Sequence, residues 1–261
     1  MNKILKVVMA SCLSFAAVSA AYAADKLQDI LSANKIKIGV LSDAAPWGFQ
    51  GSDGKLQGLD IDLANLMAKD LGVKLEIVQV TGASRIPSLL SNKVDILIAA
   101  AGATPARALQ VMFSQPYAAV DLGVYGGSGM KASKDVAALD GQTVAVAKGT
   151  TLDVWLTDNA KGVKVMRFED TPAAIKAFLS GQAAAFAENS AISKKVNDDN
   201  PSANVGLKFL IRQSPAHIMV GQGDQNLLNW INTFLFTKRM SGELSQLQTT
   251  WFGSAQDLPL M

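Results

Sequence analysis

The chain has 261 residues, 49% of them hydrophobic, and carries 24 basic and 22 acidic side chains; with Lys3 and Lys6 set aside as part of an N-terminal signal, 24 − 2 = 22 basic residues balance the acidic ones. This balance excludes the basic surface that nucleic acids and anionic membranes require. A single cysteine, Cys12, and a single histidine, His217, exclude a disulfide framework, a histidine-rich metal site and a Cys–His nucleophile.

The N-terminus has the pattern of a cleaved export signal. Lys3 and Lys6 precede an apolar run over residues 7–20, and a small-residue triplet ends at Ala23. The run is shorter than the roughly 20 residues that span a bilayer, so we expect cleavage after Ala23 and not a retained anchor. Lipidation at Cys12 is the alternative, although the apolar run continues past that cysteine.

Strand and helix patterns alternate through the first half of the chain. The predicted elements are a strand at Ile36–Leu41, a helix at Asp60–Leu71 closed by Gly72, a strand at Leu75–Val80, a helix at Arg85–Asn92 and a strand at Val94–Ala101. The last of these strands is apolar on both faces, which is typical of a parallel sheet covered by helices on each side. The pattern predicts an α/β fold.

A second series of the same kind follows a glycine-rich break predicted at Gly123–Gly129. It comprises a strand at Thr143–Ala147, a helix from Thr151, a strand at Val163–Phe168, a helix from Pro172 capped by Thr171 and closed by Gly181, and a strand at Ala183–Ala187. After Pro215 we expect a strand at His217–Val220 and helices at about Gln225–Arg239 and Gly242–Trp251. Two such series predict two compact lobes with a ligand cleft between them.

Enzymatic signals are weak. The chain has no G-x-S-x-G, P-loop or G-x-G-x-x-G pattern, and the Ser32-x-x-Lys35 match is short enough to arise by chance. His217 stands in an apolar strand, where a structural role is commoner than a catalytic one. We therefore expect a binding protein that holds no metal and no cofactor.

Two segments have the chemistry to bind an anion. Arg107 lies one turn into a helix capped by Thr104-Pro105, just after a buried strand, and its guanidinium can grip a carboxylate through two hydrogen bonds. Gly149, Thr150 and Thr151 open a helix after another strand, where backbone N–H groups and hydroxyls can face a ligand. A solvated arginine and a simple helix cap explain the same residues.

These residues stand in an order that resembles the polar-amino-acid (family 3) extracellular solute-binding proteins of ABC importers, from about Ile36 to Gly253. The matching segments are Ile36–Val40, Gly58–Ala64, Arg85–Pro87, Thr104–Arg107, Phe113–Tyr117, Lys148–Thr151 and Trp251–Gly253. The resemblance implies the two-lobed type II periplasmic-binding-protein fold, with two hinge strands crossing near Ala119–Val124 and Leu210–Ala216. The implied lobes are residues 24–120 with 214–261, and residues 121–213.

The resemblance also implies a set of ligand-binding residues. Arg107 would hold the α-carboxylate with backbone N–H groups near Gly102 and Thr151, and Ala100 would offer its carbonyl to the α-amino group. The hydroxyl that the family usually carries is replaced by Gly102, and the usual aspartate by Asn189, or by Glu188 if the alignment slips by one residue. Ala44 stands at the position where the family often carries an aromatic that stacks on the ligand side chain, and Trp47 lies close by.

Arg85 resembles the arginine that members selective for acidic amino acids aim at the ligand side chain, although Arg-Ile-Pro also occurs more widely. Its alternative role is that of a helix-surface arginine.

The expected function is capture of an acidic or polar amino acid in the periplasm by a monomer that delivers it to membrane permease subunits. Two alternatives remain: a dehydratase acting on arogenate or prephenate through Asp60, Asp62, Glu188 or His217, and a sensor acting through a membrane partner.

Overall fold

The computed structural model describes residues 25–255 and 258. The predicted cleavage after Ala23 and the alternative lipidation at Cys12 lie outside these residues. None of the helices among the described residues is long and apolar enough to cross a membrane.

Strands and helices alternate along most of the chain. The strands are β1 (Lys35–Leu41), β2 (Asp43–Ala44), β3 (Gly48–Gln50), β4 (Leu56–Gln57), β5 (Lys74–Val80), β6 (Ile96–Gly102), β7 (Val111–Gly126), β8 (Thr143–Ala147), β9 (Lys164–Phe168), β10 (Ala185–Asn189) and β11 (Gly206–Gly221). The helices are α1 (Lys26–Ala33), α2 (Leu59–Leu71), α3 (Arg85–Leu90), α4 (Pro105–Ala108), α5 (Thr151–Asn159), α6 (Thr171–Leu179), α7 (Ser190–Asp199), α8 (Gln225–Met240) and α9 (Glu243–Phe252).

Eight strands form one sheet in the order β5-β1-β6-β11-β7-β10-β8-β9. Strands β5, β1 and β6 are parallel neighbours and form the centre of what we call the first lobe, whereas β10, β8 and β9 are parallel neighbours in the second lobe. Between them run β7 and β11, which are antiparallel and 16 residues long each. The predicted α/β class and two-lobed fold with two connecting strands are confirmed.

The glycine-rich break predicted at Gly123–Gly129 starts too early, because Gly123 and Gly126 lie inside β7 and the chain leaves the strand only at residues 127–129. Gly123 serves close packing between strands: a Cβ at this position would stand 2.5 Å from Leu207 Cδ1 and 2.8 Å from the Phe209 carbonyl oxygen. The predicted crossing segments pair with one another, since Gln213 faces Asp121 and Ser214 faces Val120. The lobe boundaries at residues 120 and 213 stay a prediction.

Helix ends follow local capping chemistry. Gly72 ends α2 in the left-handed conformation at φ 70°, and its N–H donates to the carbonyls of the last turn, as its position in the sequence predicted. Thr104 caps α4, again as predicted. The cap of α6 is Asp170 and not Thr171, because the Asp170 carboxylate accepts the Ala173 N–H at 2.8 Å.

The two C-terminal helices return to the first lobe. Trp251 Nε1 donates to the Asp62 carboxylate at 2.8 Å, and Gln248 Nε2 donates to the Tyr117 carbonyl at 2.8 Å. The Phe252 ring packs edge-on against Trp47 with ring centres 4.8 Å apart. These contacts close the apolar core of the first lobe with residues from both ends of the chain.

Candidate functional site

A cavity lies between the two lobes and is lined by residues from both. Eight of the ten residues predicted to bind ligand line it: Trp47, Arg85, Ala100, Gly102, Thr150, Thr151, Glu188 and Asn189. The remaining two, Arg107 and Gly149, are hydrogen-bonded to each other beside it. The fold therefore brings together residues that are up to 142 positions apart, as in the hydrogen bond from Trp47 Nε1 to Asn189 Oδ1.

Arg107 connects the two lobes at the edge of the cavity. Its Nη1 donates to the Gly102 carbonyl at 2.9 Å and to Thr151 Oγ1 at 3.0 Å, and its Nη2 donates to the Gly149 carbonyl at 3.1 Å. Burial lowers the pKa of Arg107 to about 10, with the positive charges of Arg85 and Arg212 adding to the effect. Arg107 thus belongs to the first lobe and takes two of its three acceptors from the second.

The N-terminus of α5 supplies the second side of this junction. Thr150 caps the helix by accepting the Asp153 N–H at 3.1 Å, and its own hydroxyl donates to the Ala147 carbonyl at 2.9 Å. Gly149 has φ +70°, which turns the chain from β8 into the helix. The first helical residue, Thr151, therefore faces Arg107 in a fixed position.

Arg85 is buried at the start of α3, only 6% exposed, so the helix-surface alternative is wrong. Its Nη1 donates to the Ala99 carbonyl at 2.5 Å and its Nε to the Gly82 carbonyl at 3.3 Å. Burial lowers the Arg85 pKa, and four groups with negative charge or potential oppose that shift: Tyr117, Asp60, Glu188 and Asp43. The negative potential of these groups favours the charged guanidinium in the absence of any ligand.

Carboxylates that the sequence prediction missed line the same cavity. They are Asp43, Glu169 and Asp170, in addition to the predicted Glu188. Burial raises the pKa of Asp43, and the negative charge of Asp170 raises it further. Both aspartates could have been found from their positions, because Asp43 follows the end of β1 and Asp170 immediately precedes the Thr171-Pro172 helix start.

Glu188 and Asn189 both face the cavity. Glu188 Oε1 accepts the backbone N–H and the side-chain Nδ2 of Asn189 at 2.9 and 3.0 Å, and Oε2 accepts the Thr171 hydroxyl at 3.2 Å. Burial raises the pKa of Glu188 to about 7. Asn189 Oδ1 caps α7 by accepting the Ile192 N–H at 3.0 Å. A carboxylate is therefore available beside the position where the aspartate of the family pattern is missing.

Trp47 and Ala100 carry structural duties besides lining the cavity. Trp47 is 1% exposed and packs on Tyr117 as well as on Phe252, so aromatic neighbours cover much of its ring. Ala100 adopts the left-handed φ of 49°, and its carbonyl lies 3.5 Å from Arg85 Nη1. The carbonyl that was predicted to accept a hydrogen bond from the ligand therefore also lies beside the Arg85 guanidinium.

Comparison with known proteins identifies the family. The model of the bacterial extracellular solute-binding proteins, family 3, matches residues 36–254. The chain belongs to this family.

The L-cystine-binding protein TcyJ of Escherichia coli K12 is 28% identical over 229 residues, which cover 85% of this chain and 86% of that relative. The P235GK mutant of ArgBP from T. maritima superposes with a TM-score of 0.82 at 31% identity, covering 88% of this chain and all of the other. The ancestral amino acid-binding protein AncCDT-1, a precursor of cyclohexadienyl dehydratase, superposes with a TM-score of 0.80 at 29% identity, covering 87% and 99% of the two chains.

Most of the residues that an enzymatic member of family 3 could use here are engaged in the fold. Asp60 is fully buried, and its carboxylate accepts the Tyr117 hydroxyl at 2.8 Å and the Ala100 N–H at 3.0 Å. Burial raises the Asp60 pKa to about 7. Asp62 accepts from Trp251, and His217 Nδ1 lies 2.7 Å from the Ser114 carbonyl.

Of the four residues in the dehydratase alternative, only Glu188 lines the cavity. Asp60 instead accepts the backbone N–H of Ala100, which does line the cavity. Within residues 25–255 and 258, no cluster of three or more His, Cys, Asp or Glu side chains is placed to hold a metal ion.

Proposed function

We propose that this family 3 protein is the amino-acid-binding component of an ABC importer, and that it binds its ligand without chemical turnover. The observation that carries the proposal is the Arg107 bridge, which joins the carboxyl end of β6 in the first lobe to the start of α5 in the second. A ligand seated there touches both lobes, so its binding energy favours the closed arrangement. Closure of two lobes around a ligand is the general behaviour of periplasmic binding proteins.

The cavity has complementary ends for the two charges of a free amino acid. The α-carboxylate would take hydrogen bonds from Arg107 and from the N-terminus of α5 at Thr151, replacing carbonyl acceptors of the protein. The α-ammonium would face the wall formed by Glu188 and Asp170. Burial holds the Glu188 pKa near 7, and a bound ammonium would favour its ionised form.

The charges in the cavity favour a ligand with a polar or cationic side chain over an acidic one. The acidic expectation assumed that Arg85 would need a negative ligand group, yet Asp43, Asp60 and Glu188 already oppose its charge. Asp170 adds further negative charge to the lining, whereas Glu169 is paired with Lys148. An acidic side chain would enter a cavity with more carboxylates than free cations, which is unfavourable at low dielectric.

We further propose that the protein acts as a monomer in the periplasm, delivers its ligand to permease subunits, and loses residues 1–23 on export. Secreted protein should therefore begin at Ala24 and carry no lipid. Intact-mass measurement tests this: a species beginning at a lipidated Cys12 would contradict the cleavage site, and recovery of full-length protein from the cytoplasm alone would contradict the location.

A thermal-shift screen of the refolded, ligand-free mature protein against the free amino acids tests the function. A ligand that binds only the folded state, present at 100 times its Kd, stabilises by about 2.7 kcal/mol and should raise Tm by roughly 5–11 °C. We expect the largest shifts from polar or cationic amino acids and smaller ones from glutamate and aspartate. A protein that no amino acid stabilises at millimolar concentration would contradict the proposal, and turnover of arogenate or prephenate would replace it with the enzymatic function.

A further inference from the structure

Ser214 presents a hydroxyl to the cavity from one of the strands that connect the lobes. It lies in β11 opposite Val120, its side chain is 6% exposed, and it lines the cavity. The other hydroxyls of the lining have partners: Thr150 bonds to Ala147, Thr151 to Arg107 and Thr171 to Glu188. Among the described residues, Ser214 is the one cavity-lining hydroxyl for which the structure gives no hydrogen bond.

Gly102 makes room for this hydroxyl. A Cβ at Gly102 would stand 2.7 Å from Ser214 Oγ, which is closer than real Cβ atoms approach an oxygen, and 3.6 Å from Thr151 Oγ1. The φ of Gly102 is not in the left-handed region, so the backbone conformation does not require glycine here. The absent side chain instead leaves space that the Ser214 hydroxyl enters.

The position of the hydroxyl indicates what it binds. Gly102, next to Ser214 Oγ, gives its carbonyl to Arg107, and Thr151 gives its hydroxyl to the same guanidinium. This corner of the cavity thus lies beside the donor groups of Arg107, to which a serine hydroxyl adds another. The Ser214 hydroxyl is open to the cavity, so a ligand oxygen in this corner can accept a hydrogen bond from it.

We propose that Ser214 is a ligand-binding residue that donates a hydrogen bond to the ligand carboxylate, and that Gly102 is the residue that admits its hydroxyl. This inference rests on the proposed amino-acid-binding function. The donor missing from the position of Gly102 is supplied from the connecting strand β11. The ligand would therefore contact both lobes and the segment between them.

Calorimetry on Ser214→Ala, with the amino acid that the thermal screen identifies, tests the role of the hydroxyl. Affinity should fall about tenfold to a hundredfold, because a hydrogen bond to a charged group is lost. The Tm of the ligand-free variant should not fall, since the hydroxyl has no protein partner. Ser193→Ala is the matched control: this serine is 2% exposed in α7 and does not line the cavity, so its variant should bind as the wild type does.

The role of Gly102 is tested by a double-mutant cycle. Gly102→Ala should weaken binding by displacing the Ser214 hydroxyl, and should weaken it little further when Ser214 is already alanine. If the losses of binding free energy in the two single variants add up to the loss in the double variant, Gly102 does not act through the Ser214 hydroxyl. Binding by Ser214→Ala within twofold of wild type would overturn the role of the hydroxyl and leave the proposed function intact, whereas a wild-type protein that binds no amino acid would overturn both.

Discussion

Replacing Arg107 with alanine should reduce ligand affinity between about thirtyfold and several thousandfold while changing the Tm of the ligand-free protein little. Truncating one member of a buried, hydrogen-bonded charge pair costs roughly 2–5 kcal/mol, and each 1.4 kcal/mol is a factor of about ten. The side chain lies at the cavity edge and contacts carbonyls and a hydroxyl, not either apolar core. Calorimetry and thermal melts on the same preparations separate the two effects.

Two further variants sharpen the experiment. Arg107→Lys should fall between the wild type and alanine, because it restores the charge but not the planar pair of donors. Arg212→Ala is the matched control, since this exposed arginine on β11 acts on Arg107 only through its charge. Equal losses at both arginines, or an alanine variant at position 107 that binds within threefold of wild type, would remove Arg107 from the binding site.

Replacing Arg85 with methionine should lower the free energy of unfolding by about 1.5–3 kcal/mol at pH 8, because the Ala99 and Gly82 carbonyls lose their charged donor and the nearby carboxylates lose a cation. For a chain of this size that loss corresponds to a fall in Tm of roughly 3–12 °C. The carboxylates left without their cation are those of Asp60, Glu188 and Asp43. Chemical denaturation measures the loss, and Arg167→Met is the control, because this arginine is exposed and lies outside the cavity lining.

The loss at Arg85→Met should increase with pH. Burial holds the folded-state pKa of Asp60 and of Glu188 at about 7, above the usual values of 3.8 and 4.5 for these carboxyl groups. Folding therefore takes up protons between about pH 4 and 7, and the stability associated with the protonated forms is lost as the pH rises through 7. Arg85 lowers both pKa values, so its removal raises them. The variant should therefore go on losing stability at pH values above 7. A variant whose deficit is equal at pH 5 and pH 8 would show that Arg85 does not compensate these carboxylates.

The sequence predicted the order of the elements well because local signals determine them. Gly72, Thr104 and the runs around β1, β5, β6 and β8 act within a few residues, and each stands where it was expected. The 16-residue strands β7 and β11 were predicted only in part, as two crossing segments and the strand at His217–Val220, because their continuity comes from pairing with each other across 80 to 110 residues. Gly123 was assigned to a break for the same reason. Leu207 and Phe209, whose close contacts require a glycine at this position, lie far along the chain.

The sequence predicted which residues form the site better than it predicted how their charges interact. The family pattern named eight residues that line the cavity, yet it could not show that Arg85 is surrounded by carboxylates. Asp43 and Glu188 approach Arg85 only because β1 and β10 end on the two sides of one cavity. Ser214 gave no signal at all, because its hydroxyl matters only beside the space left by Gly102.

The packing of α8 and α9 on the first lobe affects the order in which the two lobes can fold. Asp62 and Trp251 are 189 residues apart in sequence, and Trp47 is covered by Phe252. Closing so long a loop is entropically costly and must await the last helices to be synthesised. The strands and helices from β8 to α7 form an uninterrupted stretch and need no such closure. The second lobe can therefore assemble while the first, although its strands begin earlier in the chain, still lacks the residues that complete its core.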